Sequence, residues 1–381
     1  MSNSPIRTAH GLGLEPVAAD WPALREGDIE RLLLEYPQLG ALHSLHWHSP
    51  RPFSAAGLIT TGTGTLFVKR HHRNVREATW LEEEHRLIAH LHANGAPVAA
   101  IVPNRHGRTA TSQDDWTYEI HRVAEGVDLY RDALSWSPLQ SLQHANAAGQ
   151  ALAKLHLAAA DYNAAPREAN VLLVNARLIS QDDPLAAIAA AAEADGALAD
   201  YLQHKNWHAQ LSELLLPRQA VLLPLLKDQP PLWTHNDWHA SNLLWSDSSA
   251  EASVTSVLDF GLADRTFALF DLANAIERNC VPWLDLDSGG TAPAQLDAID
   301  ALLAGYHAIK PLSENDLRTL AALLPLVHVD FALSEVAYFQ GIVGSTSSAD
   351  VAYDAYLIGH LHWFNGAEGQ RLLKHLAQVQ L

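Results

Sequence analysis

Four side chains in the segment 235–259 have the types and the spacing that phosphoryl transfer requires. His235, Asp237 and Asn242 form the pattern H-x-D-x-x-x-x-N, and an Asp-Phe-Gly sequence begins at Asp259. Transfer of a phosphoryl group to a hydroxyl needs a carboxylate that accepts the hydroxyl proton. It also needs oxygen ligands that hold Mg²⁺ against the phosphates of a nucleotide. Asp237 fits the first role, and Asn242 with Asp259 fits the second.

The hydrophobic pattern predicts the elements that position these residues. The runs 242–245 and 254–258 are typical of two short strands. A hairpin of these strands would bring Asn242 and Asp259 close together. The order and gaps of the motif match those of protein-kinase-type enzymes, which use ATP and Mg²⁺. Chance spacing in a loop rich in His and Asp is the alternative.

Length and composition fit a globular enzyme of two domains. The chain has 381 residues and a formal net charge of −18, which argues against nucleic acids and anionic membranes as partners. No apolar run approaches the roughly 20 residues of a membrane span, and the start lacks a signal-peptide core. The lone cysteine, Cys280, excludes an intrachain disulfide and is predicted to be buried. These features together predict a cytoplasmic protein.

The first half of the chain contains a candidate phosphate-binding lysine. Lys69 ends the strand-like run Thr65–Lys69, in which alternation puts Phe67 and Lys69 on one face. Leu66 and Val68 fall on the other face. A lysine on the inner face of a small sheet is costly unless it is paired. We therefore expect Lys69 to meet ATP phosphates and a glutamate, a solvent-exposed lysine being the alternative.

The glutamate is expected on a helix over residues 75–94. On this helix Leu81, Leu87, Ile88 and Leu91 form an apolar stripe. Glu84 lies at the centre of that stripe. Glu77 points roughly the same way, but it lies in the first turn, where the helix dipole already favours an acid. Glu84 is therefore the predicted partner of Lys69.

Two turns and a hinge complete the predicted nucleotide-binding region. The Gly-x-Gly of Thr61–Thr65 matches neither phosphate-loop fingerprint and is predicted to be a hairpin turn. The nucleotide-covering loop is placed at 49–54, with Ser54 as a contact. A later strand, Trp116–Val123, leads to Val123 and Ala124, whose backbone groups can bond the edge of adenine.

The predicted domains are an N-terminal extension, a nucleotide-binding N-lobe, a hinge and a C-lobe: 1–37, 38–123, 124–126 and 127–381. Helical patterns follow the hinge at Pro138–Ala160, Asp182–Gln203, Phe270–Ile276, Pro293–His307, Ser313–Gly341 and Val351–Gln378.

The chain resembles the aminoglycoside phosphotransferase and choline kinase superfamily, the protein-kinase-like kinases of small molecules. The resemblance rests on these stretches: Phe67–Lys69, Glu84–Leu87, Gly149–His156, His235–Trp245, Val257–Gly261 and Phe270–Ala273. The segment 83–100 and the catalytic loop also look like bacterial stress response kinases and homoserine-kinase-like members.

This resemblance implies an α+β, two-lobed protein-kinase-like fold. Its N-lobe is a small antiparallel sheet with one key helix, and its C-lobe is large and mainly helical. It implies ATP and Mg²⁺ as cofactors, Asp237 as the catalytic base, and Asn242 with Asp259 as metal ligands. Lys69 would hold the α- and β-phosphates with Glu84 as its partner. His235 and Asp271 would brace the catalytic loop, and His239 matches the second His of the H-x-D-x-H form.

The chain departs from the family pattern at several points. Asn236 stands where a glycine usually precedes the catalytic Asp, and the nucleotide loop lacks its Gly-Gly. No A-P-E motif follows Asp259, and the helix at Phe270 begins too soon to leave room for an activation segment. Control by loop phosphorylation is therefore not expected.

The acceptor is expected between the catalytic loop and the C-terminal helices. Candidate contacts share acidic or aromatic character: Trp283, Asp285, Asp287, His328, Asp330 and Glu335. That mix suits an amine or amino alcohol, with solvated surface as the alternative. The acceptor class stays open among amino alcohols, amino acids, sugars and aminoglycosides.

Three other functions are weighed against a small-molecule kinase. They are a protein Ser/Thr kinase of the stress response type, a nucleotide-binding module without transfer, and a Zn²⁺ hydrolase. The last would use His235, Asp237 and His239 as ligands, but it leaves Asn242 and Asp259 unexplained.

Overall fold

The computed structural model describes residues 8–10, 16–50, 53–168 and 171–381. The predicted nucleotide-covering loop therefore falls partly outside the described residues, at positions 51 and 52. The chain forms two compact units, residues 1–125 and 126–381.

The first unit is built on an antiparallel sheet. Two short strands, β1 (Thr8–His10) and β2 (Pro16–Ala18), pair separately. The main sheet has the order β3-β4-β5-β7-β6, and its strands are β3 (Leu42–His48), β4 (Ala55–Thr61), β5 (Gly64–His72), β6 (Thr111–Gln113) and β7 (Trp116–Arg122). Thr61 pairs with Gly64, so the predicted hairpin turn is confirmed. Gly64 has a φ of +112°, which explains a glycine there.

The described residues of the first unit also form two α-helices. They are α1 (Glu26–Leu33) and α2 (Ala78–Ala93), the second of which confirms the predicted helix. On α2 the buried residues include the four leucine and isoleucine positions of the predicted stripe. The core of the unit combines α1 and its flanks with the sheet: Leu24, Ile29, Leu32, Tyr36, Ile59, Leu66, Val68, Tyr118 and Ile120. Part of the predicted N-terminal extension thus contributes directly to this core.

The second unit is mainly helical. Its strands form two antiparallel pairs, β8 (Pro231–Thr234) with β11 (Asp264–Phe267) and β9 (Leu243–Trp245) with β10 (Val254–Val257). The helices are α3 (Leu142–Ala158), α4 (Pro184–Ala194), α5 (Gly196–Leu202), α6 (Trp207–Leu214), α7 (Leu216–Leu226), α8 (Ala268–Cys280), α9 (Leu296–His307), α10 (Glu314–Leu323), α11 (Val329–Tyr338), α12 (Thr346–Asp350), α13 (Gly359–Asn365) and α14 (Ala367–Leu376).

Three predicted helices are shorter than expected because local signals interrupt them. The segment 182–203 breaks at Asp195, whose carboxylate accepts from two backbone N–H groups at the start of α5. The segment 313–341 is interrupted after Leu323 by a 3₁₀ turn that contains Pro325. The segment 351–378 is divided at Gly366. Helices α6 and α7 were not predicted.

Helices α3 and α9 approach each other closely through paired glycines. A Cβ at Gly149 would lie 2.0 Å from the carbonyl oxygen of Leu302, and one at Gly305 would lie 2.0 Å from that of Asn146. Any larger residue would push the helices apart. This contact fixes α3, which carries His156 toward the catalytic loop.

Length and composition alone would allow the segment Glu314–Val343 to cross a membrane. However, 78% of its most apolar stretch is buried inside the protein. Such burial is typical of a helix in the core of a protein.

Candidate active site

The catalytic loop follows β8 and is held at its backbone by one buried carboxylate. Asp271, in the first turn of α8, accepts hydrogen bonds from the backbone N–H of His235 and of Asn236, both at 2.8 Å. The imidazole of His156 lies 3.0 Å from the same carboxylate and 2.8 Å from the hydroxyl of Tyr306. Burial raises the pKa of Asp271, but the hydrogen bond from His156 leads the effects that lower it below its ordinary value. Asp271 is therefore ionised, and its carboxylate can accept the hydrogen bonds from the loop backbone.

Asn236 explains how this chain dispenses with the usual glycine. Its φ is +62°, in the left-handed region, which Asn tolerates better than most residues. Its side-chain oxygen accepts from the hydroxyl of Thr234 at 2.8 Å, and its nitrogen donates to the carbonyl of Val174 at 3.0 Å. The substitution therefore preserves the backbone turn and adds two anchors.

Both ring nitrogens of His235 are used within the protein. Nε2 lies 2.8 Å from the carbonyl oxygen of Leu258, and Nδ1 accepts from the backbone N–H of Asp237 at 3.2 Å. The ring also contacts Phe260 edge to face, with centroids 4.7 Å apart. A histidine so engaged has no nitrogen left for a metal, which argues against the Zn²⁺ hydrolase hypothesis.

Asp237 is the acid of this loop, and its side chain is 15% exposed. Its Oδ2 accepts from Nδ2 of Asn242 at 3.1 Å and lies 3.5 Å from Nε2 of His239. Its Oδ1 lies 3.5 Å from Nη1 of Arg278. Burial raises the pKa of Asp237, but His239 and Arg278 outweigh it and hold the pKa below its ordinary value. The carboxylate stays ionised and oriented at neutral pH.

The hairpin β9–β10 brings the two predicted metal ligands to one end. The backbone N–H of Leu258 donates to the carbonyl of Asn242 at 2.8 Å. Asp259 is the next residue after Leu258, so this hydrogen bond keeps Asp259 close to Asn242. Asp259 is exposed and has a φ of +56°. The amide nitrogen of Asn242 is used by Asp237, which leaves the amide oxygen as the hard donor that Mg²⁺ prefers. The donor set therefore fits the expected cation.

Two residues that were not predicted from the sequence also hold the catalytic loop and the Asp-Phe-Gly segment in place. Asn279 donates to the carbonyl of Trp238 at 2.7 Å and accepts from the backbone N–H of Ala240 at 2.9 Å. Arg167 donates through Nη1 to the carbonyl of Gly261 at 2.9 Å. Asn279 follows Asp271 by about two helical turns on α8, a spacing that could have identified it. Arg167 lies in a loop and gives no comparable signal.

A buried charged cluster lies beside Asp237, formed by Glu277, Arg278, Glu335 and His360. Glu277 lies 3.3 Å from Nε of Arg278 and 3.2 Å from Nδ1 of His360. Within the described part of the chain, neither oxygen of Glu277 has a partner in hydrogen-bonding orientation, nor do Nε and Nη2 of Arg278 or Oε2 of Glu335. Buried polar groups are rarely left in this state, so the cluster has hydrogen-bonding capacity that a ligand or ordered water would satisfy.

Aromatic rings line this charged cluster. The guanidinium of Arg278 lies 4.3 Å from the ring centroid of Trp136. Trp283 stacks on His360 with ring centroids 3.5 Å apart. The ring centroid of Tyr356 lies 4.8 Å from that of the same histidine. The lining combines apolar walls with a few polar groups, as small-molecule sites do.

The structure separates the predicted acceptor-contacting residues into three groups. Trp283, His328 and Glu335 belong to or line the charged cluster, while Asp285 and Asp287 are exposed in the loop that follows α8. Asp330 is buried elsewhere and accepts from the backbone N–H of Leu178 at 2.8 Å. Burial raises the pKa of Asp330 to about 7 despite that bond.

The predicted nucleotide-binding residues lie in the first unit. Lys69 lies on β5 directly between Ala56 of β4 and Glu119 of β7. Glu84 is buried on α2, whereas Glu77 is exposed ahead of it. The remaining predicted contacts lie at strand ends: Ser54 before β4, and Val123 and Ala124 after β7.

The fold and this arrangement of Asp, Asn and Asp define a protein-kinase-like phosphotransferase. The chain belongs to the phosphotransferase enzyme family, whose family model matches residues 54–323. It is a kinase that transfers phosphate to a hydroxyl group of a small molecule.

Relatives of known activity and structure are consistent with this membership. A homoserine kinase of Afipia carboxidovorans is 26% identical over 282 residues, which cover 73% of this chain and 74% of the relative. The fold is similar to that of a microcompartment-associated aminopropanol kinase, with a TM-score of 0.59, 17% identity and coverage of 93% and 99% of the two chains. It is also similar to amicoumacin kinase hAmiN in complex with AMP-PNP and Ca²⁺, with a TM-score of 0.54, 14% identity and coverage of 86% and 94%.

Proposed function

We propose that this enzyme transfers the γ-phosphate of ATP to the hydroxyl of a small alcohol that carries an ammonium group. The observation that supports this acceptor class is the incompletely hydrogen-bonded cluster of Glu277, Arg278 and Glu335 beside Asp237. Relatives that act on homoserine and on aminopropanol are in keeping with such an acceptor.

The charge of the cluster favours a cation. The carboxyl groups of Asp237, Glu277 and Glu335 face one guanidinium, that of Arg278, and burial raises the pKa of both glutamates, that of Glu335 to about 8. Burial lowers the pKa of His328 to about 3 and holds the pKa of His360 well below its ordinary value, so neither imidazole adds positive charge. An acceptor ammonium would favour the ionised form of Glu335 and would supply the missing hydrogen bonds.

Asp237 acts on the acceptor hydroxyl. Its carboxylate accepts the hydroxyl proton as the acceptor oxygen forms a bond to the γ-phosphorus, and the bond from that phosphorus to the β–γ bridging oxygen breaks to release ADP. Asn242 holds the carboxylate in orientation through Nδ2. Asp271 holds the loop backbone, so that the geometry exists before the acceptor binds.

The residues proposed to bind the nucleotide and the metal ion are those predicted from the sequence. Bound Mg²⁺ would neutralise charge on the phosphates, and Asn242 and Asp259 are the proposed ligands. Lys69 is the proposed phosphate-binding residue and Glu84 its partner, with Ser54, Val123 and Ala124 as further ATP contacts. The proposed site of action is the cytoplasm, which supplies both ATP and Mg²⁺.

The acceptor class is tested with alcohols matched in skeleton. We expect ADP release with 1-amino-2-propanol, ethanolamine and homoserine to exceed that with 1,2-propanediol, ethylene glycol and 2,4-dihydroxybutanoate by at least about 100-fold in kcat/KM, since an analogue without the ammonium leaves the buried hydrogen-bonding groups of the site unpaired. Equal turnover of amines and diols would contradict the acceptor class. Turnover only with sugars would assign the site to another alcohol.

Mg·ATP should stabilise the protein against heat, because a ligand that binds only the folded state raises its Tm. The Asp259→Ala variant should lose the Mg²⁺-dependent part of this shift, since an exposed carboxylate donor is removed without disturbing buried packing. Differential scanning fluorimetry with ATP, with and without Mg²⁺, measures both. An unchanged Tm of the wild-type protein in saturating Mg·ATP would count against an ATP site.

Replacing Glu335 by glutamine should weaken acceptor binding and at the same time stabilise the protein at high pH. Burial raises the pKa of Glu335 from 4.5 to about 8. The folded protein therefore keeps a proton that the unfolded chain has released, and the wild type loses stability as the pH rises through this window. Glutamine does not ionise, so the Tm advantage of Glu335→Gln should be larger at about pH 8 than at about pH 5.

The matched control is Glu368→Gln, at a partly exposed glutamate paired with Arg371 at 2.8 Å. It should alter neither the pH dependence of Tm nor the KM for the amine acceptor. A Glu335→Gln protein with unchanged acceptor KM would remove Glu335 from the proposed acceptor site.

A further inference from the structure

A second polar cluster lies in the first unit, where three imidazoles surround one carboxylate. Nε2 of His85 and Nε2 of His121 each lie 2.7 Å from Oε2 of Glu119. Nε2 of His71 lies 3.1 Å from Oε1 of the same residue. None of these four residues has a role in the proposed phosphoryl transfer.

Rigid elements hold the cluster in place. His71 lies on β5, His85 on α2, and Glu119 and His121 on β7. Glu119, His71 and His85 are buried, at 1%, 6% and 2% exposure, and the side chain of His121 is 16% exposed. His121 therefore provides a route from solvent to an otherwise enclosed set of donors.

The acid of this cluster is ionised, and His71 beside it is neutral. Burial raises the pKa of Glu119, but His121 and the hydrogen bonds from the other histidines hold it well below its ordinary value, so the group is a carboxylate. Burial lowers the pKa of His71, which keeps that imidazole neutral. Neutral imidazole and carboxylate are the donors that Zn²⁺ and related ions take up in proteins.

The geometry is close to that of a coordinated ion. One donor atom each from His85, Glu119 and His121 lies within 4.8 Å of the others. A tetrahedral ion with bonds of about 2.0–2.1 Å spaces its ligands about 3.3 Å apart. The 2.7 Å contacts are hydrogen bonds in which each Nε2 carries the proton, so binding requires those protons to transfer to Nδ1 or to solvent and would widen each contact by roughly half an ångström. Such a movement is within the reach of side-chain rotation.

We propose that His85, Glu119 and His121 bind one divalent first-row transition-metal ion, with Zn²⁺ the best match, and that His71, which contacts the other carboxylate oxygen of Glu119, orients that ligand. The ion would join α2 to β7 and so stabilise the first unit. Lys69, the cross-strand neighbour of Glu119, and Arg76 both act electrostatically on His71. Their positive charge opposes a bound cation, so affinity has to be measured by titration rather than inferred from metal that survives purification.

The test uses the full chain, treated with chelator, dialysed and titrated with ZnCl₂ alone in a calorimeter. We expect one equivalent to bind and to raise the Tm. His121→Ala removes the least buried ligand and should weaken binding by at least about 10-fold. The matched control is His92→Ala, at an exposed histidine on the same helix as His85, which should leave the isotherm unchanged.

Co²⁺ gives a second readout that does not depend on a variant folding. One equivalent of Co²⁺ added to the wild-type protein should produce the visible absorption of a tetrahedral ion with nitrogen and oxygen ligands, and Zn²⁺ should abolish it. No Zn²⁺ binding, no tetrahedral Co²⁺ spectrum, or equal affinity in His121→Ala would each overturn the proposal. The cluster would then be a hydrogen-bonded network without a metal.

Discussion

The Asp237→Asn variant should lose at least about 100-fold in kcat, on the order of 3 kcal/mol of transition-state stabilisation. The amide can no longer accept the acceptor proton, and it alters the contacts with Asn242, His239 and Arg278. The thermal shift produced by Mg·ATP should survive, because Asn242 and Asp259 remain. Steady-state kinetics with an amine acceptor and a calorimetric ATP titration measure the two properties separately.

Asp247→Asn is the matched control for this variant. Asp247 lies in the exposed turn between β9 and β10, where its carboxylate accepts from Ser246 and Ser249. Its replacement makes the same chemical change in the same part of the chain and should leave kcat unaltered. Equal kcat for Asp237→Asn and the wild type would remove Asp237 from the reaction.

The Asp271→Ala variant should combine lost activity with a large loss of stability. The mutation leaves the backbone N–H groups of His235 and Asn236, and the ring of His156, without their buried acceptor. Each stranded donor costs about 1–3 kcal/mol, and we expect a total of roughly 3–5 kcal/mol. Urea denaturation monitored by tryptophan fluorescence should show the transition of the second unit at lower denaturant.

Two comparisons separate the role of this buried acceptor from a general effect of losing an acid. Asp271→Asn retains one acceptor oxygen and should be intermediate in stability. Asp300→Ala removes a partly exposed partner of His375 and should cost no more than about 1 kcal/mol. An Asp271→Ala protein as stable as the wild type would show that the loop backbone is held by other contacts.

The features that were predictable from sequence are those with a fixed spacing or a period. The turn at Thr61–Thr65 and the pairing of β9 with β10 follow from strand patterns. The buried stripe of α2 follows from its helical period, which also distinguishes Glu84 from Glu77. In each case the decisive signal lies within one local segment.

The charged cluster was predictable only in part: Glu335 was among the acceptor candidates, but the other members come from distant segments. Glu277 and Arg278 lie on α8, Glu335 on α11 and His360 on α13. Every residue of α8 from Leu269 to Cys280 is buried. Because α8 is buried on its polar side as well, the polarity of its residues does not separate those that face a ligand from those that would face solvent.

The same limitation applies to the acidic residues chosen from sequence. Asp285 and Asp287 lie close to Trp283 along the chain, yet they are exposed in the loop after α8. Proximity in sequence could not reveal that the chain turns away from the cluster there. The long-range contacts of α8, rather than local composition, decide which acids are buried beside Asp237.

The measurement that tests the central claim most directly is ³¹P NMR of the complete reaction with ATP, Mg²⁺ and the best amine acceptor. We predict a phosphomonoester resonance that grows in step with ADP, and no such resonance with Asp237→Asn. ATP consumed to inorganic phosphate alone, or phosphate found on the protein rather than on the acceptor, would contradict a small-molecule hydroxyl kinase that acts through Asp237.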